Sequence, residues 1–449
     1  MLAGRGIQFI SQLAMVLLLP KVLLPKVYTQ LNLLLPIASL GVTLLFGWIT
    51  GAAGRNVFEL LDPENPRSRQ TVFLYFGSLF LVLMGVFVIA SWFSNSPYRL
   101  IPFLLAAIGL RQAVLSILNM SGRHLGFLLA NLGFATSLSV FLWLCYLTVH
   151  DDLSLYLIIY ATLDTLVAVT ALRAIDLVRF RPLPRLDIDV MARYFRYGLP
   201  LVVLALPLWV MSVSDRYLLS IWQPSRVVAG YIVSYQFAGS AITIPMSFLV
   251  TVIFPRIIRI AKDESEPHAL DYTYRLLGYY LRLMPFLAVG TAVAVLLFLR
   301  HYYQGYDIHA PVIAVIAIAH AVLGLTHFYN KEFELNGKTK VIAKVYSIGA
   351  LVNLALNIAL IPTFGPIAAA GSTLAAYLTL VYLLYRAREY RPQRASALYP
   401  AMGQPATIKV PERDTNSGVS PDKLSGTAGV PPDPGCPGQD PSNTPRSRS

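Results

Sequence analysis

The sequence predicts an all-α integral membrane protein with about twelve transmembrane helices in two pseudo-repeated lobes of six helices. Hydrophobic residues make up 56% of the 449 positions and charged residues 13%, whereas a soluble chain carries about 25% charged residues. About twelve apolar runs are long enough to cross the roughly 30 Å hydrocarbon core of a bilayer as helices. The connectors between these runs alternate between rich and poor in Lys and Arg, as in a multi-pass protein.

The stretch 344–385 contains a pair of predicted spans that form a hairpin. Two apolar runs of about 20 residues flank a polar break at 362–366, which is too short for anything but a tight turn. Small residues on both runs allow their backbones to approach closely in lipid. Asn353 and Asn357 lie four residues apart on one helix face, where we expect interhelical hydrogen bonds rather than ligand binding.

The remaining runs follow one another along the chain. In the first lobe they lie near 6–21, 29–53, 71–93, 100–119, 125–148 and 153–177. In the second lobe they lie near 197–219, 228–254, 276–300 and 309–330, followed by the hairpin. The first run lacks a small-residue cleavage site and leads straight into another span, so we expect no cleavable signal peptide.

Basic connectors predict the domain boundaries and the orientation. We expect an N-terminal lobe at 1–178, a basic cytoplasmic connector at 179–196, a C-terminal lobe at 197–387 and a disordered cytoplasmic tail at 388–449. Both termini then face the cytoplasm. A weak internal repeat, NMSGR before the fifth run and LNGK before the eleventh, agrees with this division.

The sequence contains no enzyme motif, and we expect neither a metal nor a cofactor. Its seven histidines have no metal-ligand spacing, and Cys145 and Cys436 give no disulfide framework. The net charge is +13, but the basic residues lie between the apolar runs rather than on one soluble face. Membrane lipids, not nucleic acids, are therefore the expected partners. A membrane glycan polymerase or ligase remains an alternative, although the short outer connectors disfavour it.

A transporter is the function class that these features favour. Proline-interrupted helices at matching positions of two halves often mark the substrate cavity of a transporter. Pro36 and Pro245 form such a pair, and Asn32 and Gln236 are candidates for lining the same cavity. Proline is also common in membrane helices generally, which is the alternative explanation. The 25 Tyr and 22 Phe residues are expected mostly at the membrane interfaces and in lipid contact.

Few ionisable residues lie inside the spans, and each is a functional candidate because unpaired charge at mid-membrane is unfavourable. Arg111 and Arg282 are candidates for binding an anionic phosphate, which the planar guanidinium suits. Asp164 is a candidate for ion coupling. The alternatives are an ion pair between Arg111 and Asp164, and an Arg282 side chain that extends to the cytoplasmic interface.

Three further residues complete the coupling and gating candidates. Asp215 and Arg216 are predicted at the outer end of the seventh span, either as an outer gate or as a solvated helix end with a local ion pair. His320 lies on the tenth run, where packing is the more frequent role of a histidine.

Several motifs resemble those of bacterial polysaccharide flippases. The run 352–373, VNLALNIALIPTFGPIAAAGST, resembles a signature of this family. LNGKT at 335–339, SDRYLL at 214–219 and FPR at 254–256 are similar to further family motifs. The family is part of the multidrug/oligosaccharidyl-lipid/polysaccharide transporter superfamily, with the multidrug and toxin extrusion (MATE) transporters and the lipid II flippases.

The resemblance, which covers roughly 6–385, implies a MATE-like fold and alternating access of two lobes. It implies movement of an undecaprenyl-pyrophosphate-linked oligosaccharide across the bacterial inner membrane, for O-antigen or exopolysaccharide synthesis. The resemblance also implies polysaccharide polymerase and chain-length proteins as partners. In the predicted mechanism a basic cavity open to the cytoplasm takes up the diphosphate, with Arg111 and Arg282 as ligands, since charge cannot cross hydrocarbon unaided. An ion-coupled multidrug antiporter of the same superfamily is the main alternative.

Overall fold

The computed structural model describes residues 2–56, 59–60, 67–147, 154–174 and 186–389. Residues 1–393 form one compact unit and residues 394–449 a second, which lies outside the described residues. The predicted tail from residue 390 onward and residues 179–185 of the predicted basic connector therefore lie outside what the structure describes. The lobe boundaries remain predictions.

Twelve long helices follow one another in the described part of the chain, and each coincides with one apolar run. In the first half, α1 is Leu2–Val22, α2 joins Pro25–Val42, a π-helical turn at Thr43–Gly47 and Trp48–Arg55, α3 is Arg67–Phe93, α4 is Ile101–Met120, α5 is His124–Leu147 and α6 is Ser154–Ala174. In the second half, α7 is Ile188–Trp222, α8 is Ser225–Asp263, α9 is Glu266–Tyr302, α10 is Ala310–Leu335, α11 is Thr339–Phe364 and α12 is Pro366–Ala387.

Helix length and composition confirm the predicted fold class. Among the described residues, ten helices are long and apolar enough to cross a membrane, and α7 is an eleventh if its two bent parts count as one span. Helix α1 has a shorter apolar stretch, Leu13–Val22. The chain is therefore an all-α, multi-pass membrane protein.

The predicted hairpin turn is shorter than the polar break that suggested it. Helix α11 continues to Phe364, and the reversal falls on Gly365, whose φ of 59° is left-handed. Pro366 then opens α12 in its first turn, where its missing amide hydrogen has no helical acceptor to lose. Glycine and proline thus occupy the two positions at which a helix end and a helix start need them.

Helix α7 begins earlier than predicted and bends. Asp187 accepts hydrogen bonds from the backbone amides of Asp189 (3.0 Å) and Val190 (3.2 Å), so it caps the helix inside the predicted connector. The axis turns by 52° between Ile188–Pro200 and Ala205–Trp222. Pro200 and a second proline seven residues later remove helical hydrogen bonds, which accounts for the bend.

The helices pack mostly within their own half of the chain. In the first half α4 lies against α2, α3 and α6, and α5 lies against α1 and α6. In the second half α12 lies between α10 and α11, and α9 packs on α8 and α10. The two halves meet chiefly along α2, which lies against α7 and α8. The largest buried cluster contains side chains of both halves, including Leu31 and Ala238.

Candidate functional site at the interface of the two halves

The proline in α2 lies where the second half hydrogen-bonds to the backbone of the first. Pro36 has no amide hydrogen, so the carbonyl of Asn32, four residues earlier, loses its helical donor. Next to this gap, the Tyr217 hydroxyl of α7 donates to the carbonyl of Leu33 at 2.6 Å. The indole N–H of Trp209, also on α7, donates to the carbonyl of Pro36 at 2.9 Å. Helix α7 is therefore fixed to α2 by aromatic donors on both sides of the proline.

Two of the predicted cavity residues meet each other across the interface. Gln236 of α8 donates from Nε2 to Oδ1 of Asn32 at 2.7 Å. Its Oε1 accepts from the Tyr28 hydroxyl at 2.8 Å, and Asn32 Nδ2 donates to the Tyr28 carbonyl at 2.9 Å. Tyr28 and Asn32 are buried, so these amides satisfy one another away from water. We call Tyr28, Asn32 and Gln236 the amide cluster; its role in transport remains a prediction.

Asp215 and Arg216 lie beside the amide cluster, inside α7 rather than at its end. Both are buried, with 1% and 8% of their surface exposed. The Asp215 carboxylate accepts from the Tyr231 hydroxyl and, at 2.8 Å, from the backbone amide of Arg216. The Arg216 guanidinium lies 5.4 Å from the ring centroid of Tyr235. The alternative of a solvated helix end is therefore wrong, because packing by α8 covers both residues.

His320 extends this polar region to α10 and α12. Its Nδ1 donates to the carbonyl of Ile316 at 3.0 Å, and its ring meets those of Tyr235 and Tyr377 edge-on at 5.0 and 5.9 Å. The two tyrosine hydroxyls lie 3.3 Å apart. A Cβ at Gly239 would overlap the His320 ring, so glycine is required for this approach of α8 to α10. Packing therefore accounts for His320 in this state, and a gating role remains a prediction.

Arg111 and Asp164 form the ion pair that the sequence left open. Arg111 Nη1 lies 3.2 Å from Asp164 Oδ2 and 2.9 Å from the Tyr160 hydroxyl, between α4 and α6. The Asp164 side chain is 1% exposed, whereas that of Arg111 is 26% exposed. Asp164 Oδ1 is buried and has no hydrogen-bond partner among the described residues. The pair neutralises both charges here, and a substrate role for Arg111 or a coupling role for Asp164 is still a prediction.

The other two candidates lie on exposed helix faces. Arg282 of α9 is exposed on the same face as Phe286 and Val289, which are 75% and 64% exposed. It has no ion-pair partner in the described part of the chain. Pro245 is exposed on α8, whereas Pro36 is half-buried, so the matched prolines have different surroundings.

The four-residue spacing of two asparagines in α11 gives the predicted interhelical contact.

 Because α11 is a regular helix, Asn353 and Asn357 stay on one face, and both are fully buried against α7. Asn357 Nδ2 donates to Ser214 Oγ at 3.3 Å and to Asn353 Oδ1 at 3.1 Å. Ser214 Oγ donates to the same Asn353 oxygen at 3.1 Å. The expected hydrogen bonding between helices is confirmed.

Sequence reasoning missed the tyrosines that build this interface. It expected tyrosine mostly at the membrane surfaces, whereas Tyr28, Tyr194 and Tyr231 are among the largest fully buried side chains. A tyrosine inside an apolar run looks the same in the sequence whether it faces lipid or another helix. One signal could have identified Tyr28: it lies four residues before the predicted Asn32 and therefore on the same helix face.

Comparison with known proteins places the fold. No family model matches the chain, and no curated protein matches it. A solved structure of the lipid II flippase MurJ in an inward closed conformation matches with a TM-score of 0.58 and 15% identity, over 86% of this chain and 87% of that chain. This chain has the fold of that structure. At this identity the likeness shows the fold alone.

Two further solved structures match less well. A MOP superfamily transporter from Pyrococcus furiosus has a TM-score of 0.43 and 14% identity, over 86% of this chain and 91% of that chain. A eukaryotic MATE transporter has a TM-score of 0.38 and 14% identity over the same shares. Both TM-scores are below 0.5.

Proposed function

We propose that this chain is a transporter that flips a polyprenyl-diphosphate-linked oligosaccharide between membrane leaflets by alternating access. The observation that carries the proposal is the line of polar contacts along α2, in an apolar chain whose fold resembles that of a lipid II flippase. A sugar and diphosphate head group needs a polar path through hydrocarbon. The α2 interface supplies polar groups between apolar helices of the two halves.

The chemistry of this interface suits a path that opens and closes. In the closed arrangement, Tyr28, Asn32 and Gln236 satisfy one another. When the halves separate, water or the hydroxyls of a glycan can replace these partners, so opening leaves no polar group without a hydrogen bond. Amides and tyrosines also suit glycans, because they present donors and acceptors without a fixed charge.

The diphosphate requires a cation as well. The Arg111 guanidinium is partly exposed and uses only part of its donor set on Asp164 and Tyr160, so it has donors left for a phosphate oxygen. We propose Arg111 as the primary phosphate ligand and Arg282, an exposed cation on α9, as a secondary one. The location in the bacterial inner membrane and the polymerase and chain-length partners are proposals that rest on the sequence resemblance. The cytoplasmic location of both termini is a proposal that rests on the distribution of Lys and Arg among the connectors.

Reconstituted flipping tests this function. Purified protein in liposomes is given a fluorescent undecaprenyl-diphosphate oligosaccharide, and its movement to the outer leaflet is followed by quenching. We expect flipping by the wild type, and no flipping in empty liposomes. If the wild type leaves this lipid in place but exports a cationic dye, the flippase proposal is wrong and the antiporter alternative holds.

A pair of variants separates phosphate binding from simple charge pairing. Arg111→Ala alone leaves the Asp164 carboxylate buried without its partner, so loss of activity has two explanations. Adding Asp164→Asn removes the stranded charge. We expect the double variant to fold and still flip at least tenfold more slowly, roughly the effect of losing one charged hydrogen bond. Arg123→Ala, an exposed arginine in a connector, is the matched control. If the double variant flips the lipid at the rate of the control, Arg111 only pairs with Asp164 and does not bind the phosphate.

A further inference from the structure

The two halves touch at both ends of α2, and the chemistry of the two closures differs. Helix α2 covers Pro25 to Arg55, roughly 45 Å at 1.5 Å per residue, so the contacts near its first and last turns lie on opposite sides of the membrane span. We call them the Tyr306 closure, near its start, and the Glu59 closure, near its end.

Neutral, buried groups form the Tyr306 closure. The Tyr306 hydroxyl, in the α9–α10 connector, donates to the carbonyl of Pro20 at 2.7 Å and lies 3.1 Å from that of Leu23. These carbonyls lie at the end of α1, where no further helical amide can reach them. Tyr303 donates to the carbonyl of Leu17, and Tyr306 packs edge-on against Tyr28. Both connector tyrosines are less than a tenth exposed, and burial raises the pKa of Tyr306, so its hydroxyl remains a donor.

An exposed ion pair forms the Glu59 closure together with buried apolar side chains such as Val72 and Tyr194. Arg193 Nη2 of α7 lies 2.7 Å from Glu59 Oε1, which also accepts from the Ser68 hydroxyl of α3 at 2.6 Å. One turn further, the backbone amide of Asp187 donates to Thr71 Oγ1 at 3.0 Å. The Arg193 side chain is 56% exposed and that of Glu59 is 30% exposed.

The ion pair also borders a polar cavity. This cavity has a volume of about 350 Å³, and Arg67, Asp187 and Asp189 line it together with the ion pair and Ser68. Such a volume holds on the order of ten waters. Water on both sides of an ion pair weakens its attraction and lets dissolved salt screen it.

We propose that the Glu59–Arg193 pair is a salt-sensitive gate of the substrate path and that this end opens before the Tyr306 end. Salt screens an exposed ion pair but leaves a buried hydrogen bond between neutral groups unchanged. The Lys and Arg distribution predicts that the Glu59 end faces the cytoplasm, so the gate would admit substrate from the side where it is made. The purpose of the gate rests on the proposed transport function, but its opening is measured without substrate.

Cysteine labelling tests the gate in the full chain. In a Cys145→Ala, Cys436→Ala background, Val72→Cys reports on the Glu59 end and Val27→Cys on the Tyr306 end; both valines are at most 2% exposed. A water-soluble maleimide labels detergent-solubilised protein at 0.05 and 0.5 M salt. We expect Val72→Cys to label about two- to fivefold faster at high salt, the range for loss of an exposed ion pair. Labelling of Val27→Cys should not depend on salt.

Charge variants show whether the ion pair causes the salt response. Glu59→Gln should give fast Val72→Cys labelling at low salt and no further rise at high salt. The reversed pair, Glu59→Arg with Arg193→Glu, should restore slow, salt-dependent labelling. Asp307→Asn is the matched control, because its pair with Arg226 (3.1 Å) is similarly exposed but lies within the second half.

Three results would overturn the gate: labelling that ignores salt, a Glu59→Gln variant that behaves like the wild type, or an equal response in Asp307→Asn. A loss of flipping in liposomes with the labelling pattern intact would count against the proposed substrate and leave the gate standing. A protein that flips the lipid but lacks the labelling pattern would count against the gate and leave the proposed substrate standing.

Discussion

Replacing Gln236 with leucine should destabilise the closed interface, because this one side chain makes two hydrogen bonds to buried groups. The substitution removes the acceptor of the Tyr28 hydroxyl and the donor to Asn32 Oδ1, bonds of 2.8 and 2.7 Å. Both remaining groups are buried, and a buried polar group left unsatisfied is unfavourable by about 1–3 kcal/mol. We therefore expect a loss of roughly 2–4 kcal/mol in the free energy of unfolding, allowing for some relaxation around the leucine side chain.

Chemical unfolding in detergent micelles, followed by tryptophan fluorescence, measures this loss. Gln112→Leu, on an exposed face of α4, is the control and should change the free energy of unfolding by less than about 0.5 kcal/mol. The double variant Gln236→Leu with Asn32→Leu removes both partners of one bond. It should therefore lose less than the sum of the two single losses. Equal losses for Gln236→Leu and Gln112→Leu, or strict additivity in the double variant, would refute the hydrogen-bonded amide cluster.

Two further substitutions test the turn and the proline contact. Gly365→Ala places a side chain at φ 59° and ψ −135°, a region that is open to glycine, and should lower the free energy of unfolding by about 1–3 kcal/mol. Gly371→Ala, inside α12 with open space around it, should be neutral or stabilising in the same assay. Trp209→Phe keeps the ring but loses the 2.9 Å bond to the α2 carbonyl, so we expect a loss of about 1 kcal/mol, with Trp143→Phe on an exposed face as control. No difference within either pair would contradict the corresponding contact.

The positions of the helices followed from the sequence because membrane insertion imposes a length and a composition on each span. Every predicted apolar run coincides with a helix, including the first one. Helices α7, α8 and α9 extend beyond their apolar runs, however. Their extra turns are amphipathic, and a criterion based on average hydropathy passes over such turns. Asp187, which begins α7, is recognisable as a cap only once the helix is known.

The sequence predicted only part of the candidate site. Asn32, Pro36 and Gln236 could be named because a polar or helix-breaking residue in an apolar run is unusual and needs an explanation. Their hydrogen-bonding partners, such as Tyr28 and Trp209, could not be named from the sequence, because tyrosine and tryptophan are also common in lipid-facing positions.

By itself, the sequence determined that this chain is a bundle of apolar helices with few charges, because hydrocarbon excludes unpaired polar groups whatever the helices later pack against. Only the tertiary structure decided which charges are neutralised, as Arg111 is by Asp164, and which side chains join the halves. The physical reason is that burial and hydrogen bonding depend on the face that each helix turns to its neighbours. That orientation is set by contacts between residues far apart in the chain, such as Tyr28 and Gln236.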